Sequence, residues 1–325
     1  MLKRLTIPSS LPLRCLILSA SLLAAAGCGK GGGAGGPAGS AAEGKPSIVA
    51  TTGMIADLAR QIAGDLATVE ALMGPGVDPH LYKASESDVR RLAEADLVLY
   101  NGLFLEGKMG DILGKLGKSR PVVAIGEAVP EDKLRKPPEF LGHPDPHIWF
   151  DVSLWALTVP RVTEAIVALL PAQEAALRAN AARLAAQLQE LDAYAARRAQ
   201  EIPAEQRVLV TAHDAFGYFG QRYGLDVYGI QGISTVSEAG LRDVERVVQV
   251  VVDRKIPAIF VESSVPQRTI EAVQAAVRDK GHEVKIGGSL FSDAMGAPGT
   301  PEGTYDGMVR HNVDTLVDAL RGGGR

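Results

Sequence analysis

From residue 46 onward the chain alternates short apolar runs with longer amphipathic stretches. Ser47–Thr51, Thr68–Met73, Leu97–Tyr100 and Val122–Ile125 are brief runs rich in β-branched or apolar residues. Runs of this length bounded by turn residues predict strands. Between them, Met54–Ile62 and Ser85–Ala93 repeat apolar positions at helical spacing, with Ser85 placed as a cap. The rhythm returns later. Val208–Thr211, Val227–Ile230, Ala258–Val261 and Glu283–Ile286 read as strands. Helices are predicted near Ala215–Tyr223, Glu238–Arg254, Gln267–Lys280 and Tyr305–Leu320. Such alternation predicts an α/β fold of mostly parallel sheets covered by helices.

A different pattern separates the halves. Ala172–Glu201 contains neither Gly nor Pro, with Pro171 before it and Pro203 after it. Leu177, Leu184, Leu188 and Leu191 recur at helical spacing. As one helix the segment would extend about 45 Å, enough to span the molecule. Too few heptad positions are apolar for a coiled-coil arm. The expected organisation is therefore a lobe over 46–171, a linking helix over 172–202 and a second lobe over 203–325.

Composition narrows the function. The chain has 325 residues, 46% of them apolar, and a formal net charge of −4. That length suits two medium domains, and the charge does not suit a nucleic-acid partner. Cys15 and Cys28 are the two cysteines, so neither a disulfide nor a thiolate metal site is expected in the folded body.

The N-terminus carries a second pattern. Lys3, Arg4 and Arg14 precede the apolar run Cys15–Ala26, which ends Ala25-Ala26-Gly27-Cys28. This resembles a bacterial lipoprotein signal, with Ala25 where that pattern usually has Leu. The resemblance implies removal of residues 1–27 and lipidation of Cys28. Residues 28–45, rich in Gly, Ala and Ser, would be a flexible tether. No later stretch is expected to span a membrane, so transport would fall to partner proteins.

The candidate chemistry lies in six histidines: His80, His143, His147, His213, His282 and His311. Two occur in identical tripeptides, Asp78-Pro79-His80 and Asp145-Pro146-His147. Proline restrains the backbone before each imidazole, and the Asp can orient the ring from behind. His213 follows the strand Val208–Thr211 and opens a helix, while Asp293 lies in the loop after Glu283–Ile286. His80 follows Thr68–Met73 through Gly74-Pro75-Gly76. Ligands in open α/β sheets gather at the carboxyl ends of strands, so two candidates from each half would meet between the lobes. Three imidazoles and one carboxylate suit a borderline divalent metal.

Four segments together are highly specific: Gly74-Pro75-Gly76-Val77-Asp78-Pro79-His80-Leu81-Tyr82, Asp145-Pro146-His147-Ile148-Trp149-Phe150-Asp151, Thr211-Ala212-His213-Asp214-Ala215-Phe216-Gly217-Tyr218-Phe219 and Leu290-Phe291-Ser292-Asp293-Ala294-Met295-Gly296. They resemble the TroA-type cluster of zinc/manganese solute-binding lipoproteins of ABC transporters, in the same order across 46–320. The resemblance implies two Rossmann-like lobes joined by one long backbone helix, with Zn2+ or Mn2+ held between them as transported ligand. It carries over His80, His147, His213 and Asp293 as metal ligands. It further implies an ABC permease with its ATPase as partners, a monomer, and an extracytoplasmic, lipid-anchored location in the periplasm or at the cell surface. Zinc-dedicated members often carry a His-rich loop before the second ligand; Val129–Pro144 holds only His143. Manganese-dedicated members often have Glu in place of His213.

The other candidates receive plainer roles. His282 is expected to be exposed in a turn, His311 packed or hydrogen-bonded in the last helix, and His143 at the rim of the site. Glu238 and Glu262 would line the cleft without binding metal. A hydrolytic zinc enzyme is disfavoured, because four protein ligands leave no open position for water and the chain has no His-Glu-x-x-His helix. A surface adhesin would leave the ligand set without a role.

Replacing Cys28 with Ser is expected to move the protein from the membrane fraction to the soluble fraction with metal binding unchanged. Retention of the Cys28→Ser variant in membranes under the same extraction contradicts lipidation at this residue.

Overall fold

The computed structural model describes residues 44–322. The signal segment, Cys28 and most of the expected tether lie outside the described residues. The described residues form one compact unit.

The first lobe is built on a four-stranded parallel sheet. Its strands are β1 (Ser47–Ala50), β2 (Thr68–Ala71), β3 (Leu97–Tyr100) and β4 (Val122–Ala124), in the order β2-β1-β3-β4. Helix α1 (Gly53–Ala63) connects β1 to β2. Helix α2 (Glu86–Glu94) begins at Ser85, whose hydroxyl accepts from Asp88 N while the Asp88 carboxylate accepts from Ser85 N. That reciprocal pair supplies the cap expected at Ser85. Because β2 and β3 flank β1 on opposite sides, the chain reverses direction at β1, and the sheet opens a crevice at the carboxyl ends of β1 and β3.

Three helices in this half were not foreseen: α3 (Gly110–Leu116), α4 (Val152–Ala156) and α5 (Val159–Leu169). The window Val152–Leu169 is also apolar enough to pass as a membrane span, contrary to expectation. In the fold this stretch divides into α4 and α5. Both pack on the linking helix, burying Trp155, Val162 and Ile166 in the shared core. In α5 the buried residues Val159, Val162, Thr163 and Ile166 share one face, while Arg161 and Glu164 are exposed.

The linking helix α6 runs over Glu174–Ala199, preceded by a 3-10 turn at Pro171–Gln173. Its 26 residues extend about 39 Å. The predicted leucines, Leu177, Leu184, Leu188 and Leu191, are buried along one face with Ala181, Ala195 and Ala199.

The second lobe contains β5 (Val208–His213), α7 (Gly217–Tyr223), β6 (Asp226–Gln231), α8 (Leu241–Asp253), β7 (Ala258–Glu262), α9 (Arg268–Asp279), β8 (Lys285–Leu290) and α10 (Tyr305–Leu320). β5 pairs with β6 and β7 with β8, all parallel, and β5 and β7 touch. Two boundaries differ from expectation. His213 closes β5, paired with Gln231, rather than opening the next helix. β8 runs on through Gly287 and Gly288 to Leu290, where a loop was expected. The glycines serve packing, because a Cβ at Gly288 would lie 2.6 Å from Thr315 of α10, and Gly288 has φ +146.

One hydrophobic cluster runs from Ile48 and α1 through α6 to Val208, Phe260 and α10. A second, smaller cluster lies beneath α2 and α3 and includes Val49, Leu92, Val98 and Leu113. The lobes therefore share a core, with α6 along its back. Leu191→Ala, in that core, is expected to cost about 2–5 kcal/mol. Gln187→Ala, on the exposed face of the same helix, should stay within about 0.5 kcal/mol of the parent. Denaturant unfolding of the two variants checks the assignment of faces; equal costs would contradict it.

Candidate metal centre

Each expected ligand sits at the end of an element or in a pinned turn. His80 lies in the loop between β2 and α2, where its backbone N–H donates to Asp78 Oδ1 at 2.8 Å. His147 precedes a 3-10 turn at Ile148–Phe150. Its backbone N–H and ring Nδ1–H both donate to Asp145 Oδ1, at 3.0 and 2.8 Å. His213 ends β5, and its backbone N–H and Nδ1–H donate to the two oxygens of Glu262, at 2.8 and 2.5 Å. Asp293 follows β8.

The four side chains converge, with one candidate donor atom from each within 4.8 Å of every other. His80 Nε2 lies 3.3 Å from His147 Nε2. Asp293 Oδ1 lies 3.3 Å from His147 Nε2, and Asp293 Oδ2 lies 3.4 Å from His213 Nε2 and 3.7 Å from His80 Nε2. A tetrahedral zinc centre with bonds of about 2.0–2.1 Å needs donors about 3.3–3.4 Å apart, so the spacing fits a metal. The chemistry of the atoms agrees. With Nδ1–H committed to a carboxylate, His147 and His213 turn Nε2 inward as the nitrogen available to a metal. His213 Nε2 and both Asp293 oxygens are buried without a hydrogen-bond partner. Buried polar atoms in that condition are costly unless a cation satisfies them. All four residues are at most 2% exposed, so metal can enter or leave only if something moves.

Protonation follows the surroundings. Burial alone would depress the His147 imidazole, but its hydrogen bond to Asp145 and the nearby Asp293 carboxylate outweigh burial and lift it to about 9. Burial is likewise outweighed at His213, where the Glu262 and Asp293 carboxylates push the imidazole well above its usual range. His80 has no carboxylate behind it, and burial takes it down to about 3. Burial would raise Asp293, yet His213 and His147 hold it well below the usual carboxylate range.

The supporting residues were mostly invisible in the sequence. Asp145 behaves as predicted behind His147, but Asp78 does not stand behind the His80 ring; His80 Nδ1 has no partner. Glu262, expected only to line the cleft, positions His213. An acid closing the otherwise apolar strand Ala258–Glu262 was the available signal. Arg135 Nη1 donates to Asp145 Oδ2 at 2.6 Å, and Asn101 Nδ2 donates to the Pro146 carbonyl at 3.1 Å. Asn101 is fixed in turn by the buried Glu106, whose carboxylate accepts from Asn101 N, Gly102 N and the Thr51 hydroxyl.

The remaining candidates stay outside the cluster. His143 packs on Phe104 with ring centroids 3.9 Å apart. His311 donates to the Ser289 carbonyl at 3.0 Å and packs against Phe291. His282 is half-buried and donates to the Ile256 carbonyl, so it is more enclosed than expected. Glu238 lies in a crevice beside Asp78 and Leu81.

A dry nest of three imidazoles and a carboxylate, closed between two parallel-sheet lobes, belongs to a receptor that encloses a single metal ion. Comparison with known proteins places the chain within that class. Residues 48–319 match the model of the family described as zinc-uptake complex component A, periplasmic. The zinc-binding protein TroA of Treponema pallidum is 52% identical over 287 residues, covering 88% of this chain and 92% of that protein. The manganese-binding lipoprotein MntA of Bacillus subtilis is 48% identical over 284 residues, covering 87% and 92%. The solved structure of the Treponema pallidum periplasmic zinc-binding protein superposes with a TM-score of 0.83, covering 85% of this chain and 99% of that one. The chain belongs to the zinc-uptake component A family: it is the extracytoplasmic binding component of a metal-uptake complex, not an enzyme.

Metal affinity is expected to climb with pH through and above neutrality. The carboxylates of Asp145, Glu262 and Asp293 favour the protonated imidazoles of His147 and His213, and a metal bound at those rings would have to displace their protons. His80, already neutral, releases none. Unshifted histidines would compete only below about pH 6.5. Calorimetric titration at pH 7.5 in buffers of different ionisation enthalpy should register about two protons released per metal. Release of none, with affinity flat between pH 6 and 9, contradicts this account.

Proposed function

We propose that the protein captures a divalent transition metal, zinc or manganese, between its lobes and delivers it to an ABC permease driven by an ATPase. His80, His147, His213 and Asp293 are the ligands in this reading. Two come from the lobe over 46–171 and two from the lobe over 203–325, joined through 172–202. The observation that carries it is the convergence of four buried donors within 4.8 Å of one another, with three donor atoms lacking a hydrogen-bond partner. Cys28 would hold the protein to the membrane as a monomer, with residues 28–45 as the tether. The relatives are named for zinc in one case and manganese in another, and the donor set of this chain is compatible with either. Three nitrogens favour zinc. Both Asp293 oxygens face the imidazoles, so the carboxylate can bind through two atoms and help meet manganese's preference for oxygen and higher coordination.

The test is competition between zinc and manganese in one buffer, using the parent, His213→Glu and His213→Ala. The parent should bind one metal per chain and prefer zinc. Glu at position 213 hardens the donor set and adds a negative charge, so the zinc-over-manganese ratio of dissociation constants should narrow. His213→Ala should weaken both metals by about tenfold or more, the scale at which even supporting residues of metal sites act. An unchanged ratio in His213→Glu, with parental binding in His213→Ala, would remove His213 from the site.

A further inference from the structure

Although the sequence divides the donors two and two between the lobes, they are not held equally. The His147 segment is fastened to the second lobe at several points. Trp149 Nε1–H donates to the Ser292 carbonyl at 3.0 Å, next to Asp293. The Tyr305 hydroxyl donates to the Trp149 carbonyl at 2.6 Å, and the Tyr218 hydroxyl donates to the Asp145 carbonyl at 3.0 Å. Asn101 grips Pro146 from the first lobe. His147, His213 and Asp293 thus form one fastened group, with both of its rings backed by carboxylates.

His80 is different in three respects. Its ring has no partner at Nδ1. Its loop returns to the first lobe through Tyr82, whose hydroxyl donates to Asp88 of α2 at 2.7 Å. Among the described residues, one hydrogen bond other than the ligand contacts ties that loop to the second lobe: the Thr235 hydroxyl donates to Asp78 Oδ2 at 2.6 Å. The other oxygen of the same carboxylate accepts the His80 backbone N–H, so Asp78 joins the ligand to the tie. Thr235 and Asp78 also line an interlobe crevice of about 460 Å³, together with Leu81 and Glu238. The tie can therefore be reached from outside, whereas the four donors cannot.

We propose that the Thr235–Asp78 hydrogen bond is the latch of the site: it holds His80 over a pre-assembled three-donor half-site of His147, His213 and Asp293. Metal leaves when Thr235 releases Asp78 and the His80 loop swings out, with the shared core of the two lobes left intact. Thr235 is a positioning residue that touches no metal, and the inference rests on the ligand assignment made under Proposed function.

The experiment loads full-length protein with zinc and follows release into excess chelator by stopped flow. Association is measured separately with zinc alone. A hydrogen bond to a charged group typically supports a tenfold to hundredfold effect, so Thr235→Val should release zinc about ten to a hundred times faster with association unchanged. Thr235→Ala, which adds no bulk, should do the same, and Thr235→Ser, which keeps the hydroxyl, should restore the parental rate. His80→Ala should retain weaker zinc binding, and its release should be insensitive to residue 235. Four outcomes overturn the latch: parental release in Thr235→Val and Thr235→Ala, failure of the serine to rescue, equal acceleration on the His80→Ala background, or no zinc held by His80→Ala. A parent that binds no zinc overturns the ligand assignment, and the latch with it.

Discussion

The structure depends on one electrostatic arrangement: three imidazole nitrogens and a carboxylate directed at a common buried point. Left alone, these groups repel or remain unsatisfied, and their desolvation is costly. What keeps them in place is a set of carboxylates behind them. Asp145 and Glu262 take the outer ring protons of His147 and His213 and so decide which nitrogen faces inward. Burial and pairing then pull the histidines apart in basicity, His147 upward and His80 downward. The carboxylates that orient the rings therefore also favour protons on His147 and His213, and a metal bound there would compete with those protons. Cation binding and proton release are two descriptions of the same balance of charge.

The fold serves this arrangement by fixing backbone ends. His213 and Glu262 close the adjacent strands β5 and β7, so their bond ties two strand ends together. Asp293 follows β8, where two glycines let α10 pack close to the strand. On the other side, Glu106 secures the turn at Asn101, and Asn101 secures Pro146. Leu103 and Phe104 in that turn have positive φ, a backbone cost carried by a residue set leading to the ligand. Helix α6 and the continuous core limit how far whole lobes can separate. A receptor built this way needs a small moving part, and the His80 loop is the least fastened element around the site.

The sequence by itself determined the alternating α/β plan, the long linking helix and the identity of the four converging side chains. The first two rest on local physics, in period-two and period-3.6 patterns with Pro and Gly punctuation; the four side chains rest on two copies of Asp-Pro-His, on strand-end positions and on the resemblance of four segments to the TroA-type cluster. Boundaries slipped where tertiary contact overrode local signals. Gly287 and Gly288 read as a loop but extend β8, because α10 packs against them. Val152–Leu169 read without helices although α5 buries Val159, Val162, Thr163 and Ile166 on one face, because α4 is only five residues long and breaks the period before α5 begins. Only the tertiary structure decided how the ligands are held. Glu262 lies 49 positions from His213, and Thr235 lies 157 from Asp78. No periodicity records such pairings, since they arise when strand ends and loops from distant parts of the chain are brought to the same crevice. The two Asp-Pro-His tripeptides make the point most directly. They are identical in sequence, yet Asp145 backs its histidine ring while Asp78 turns to Thr235, because a different neighbour stands beside each.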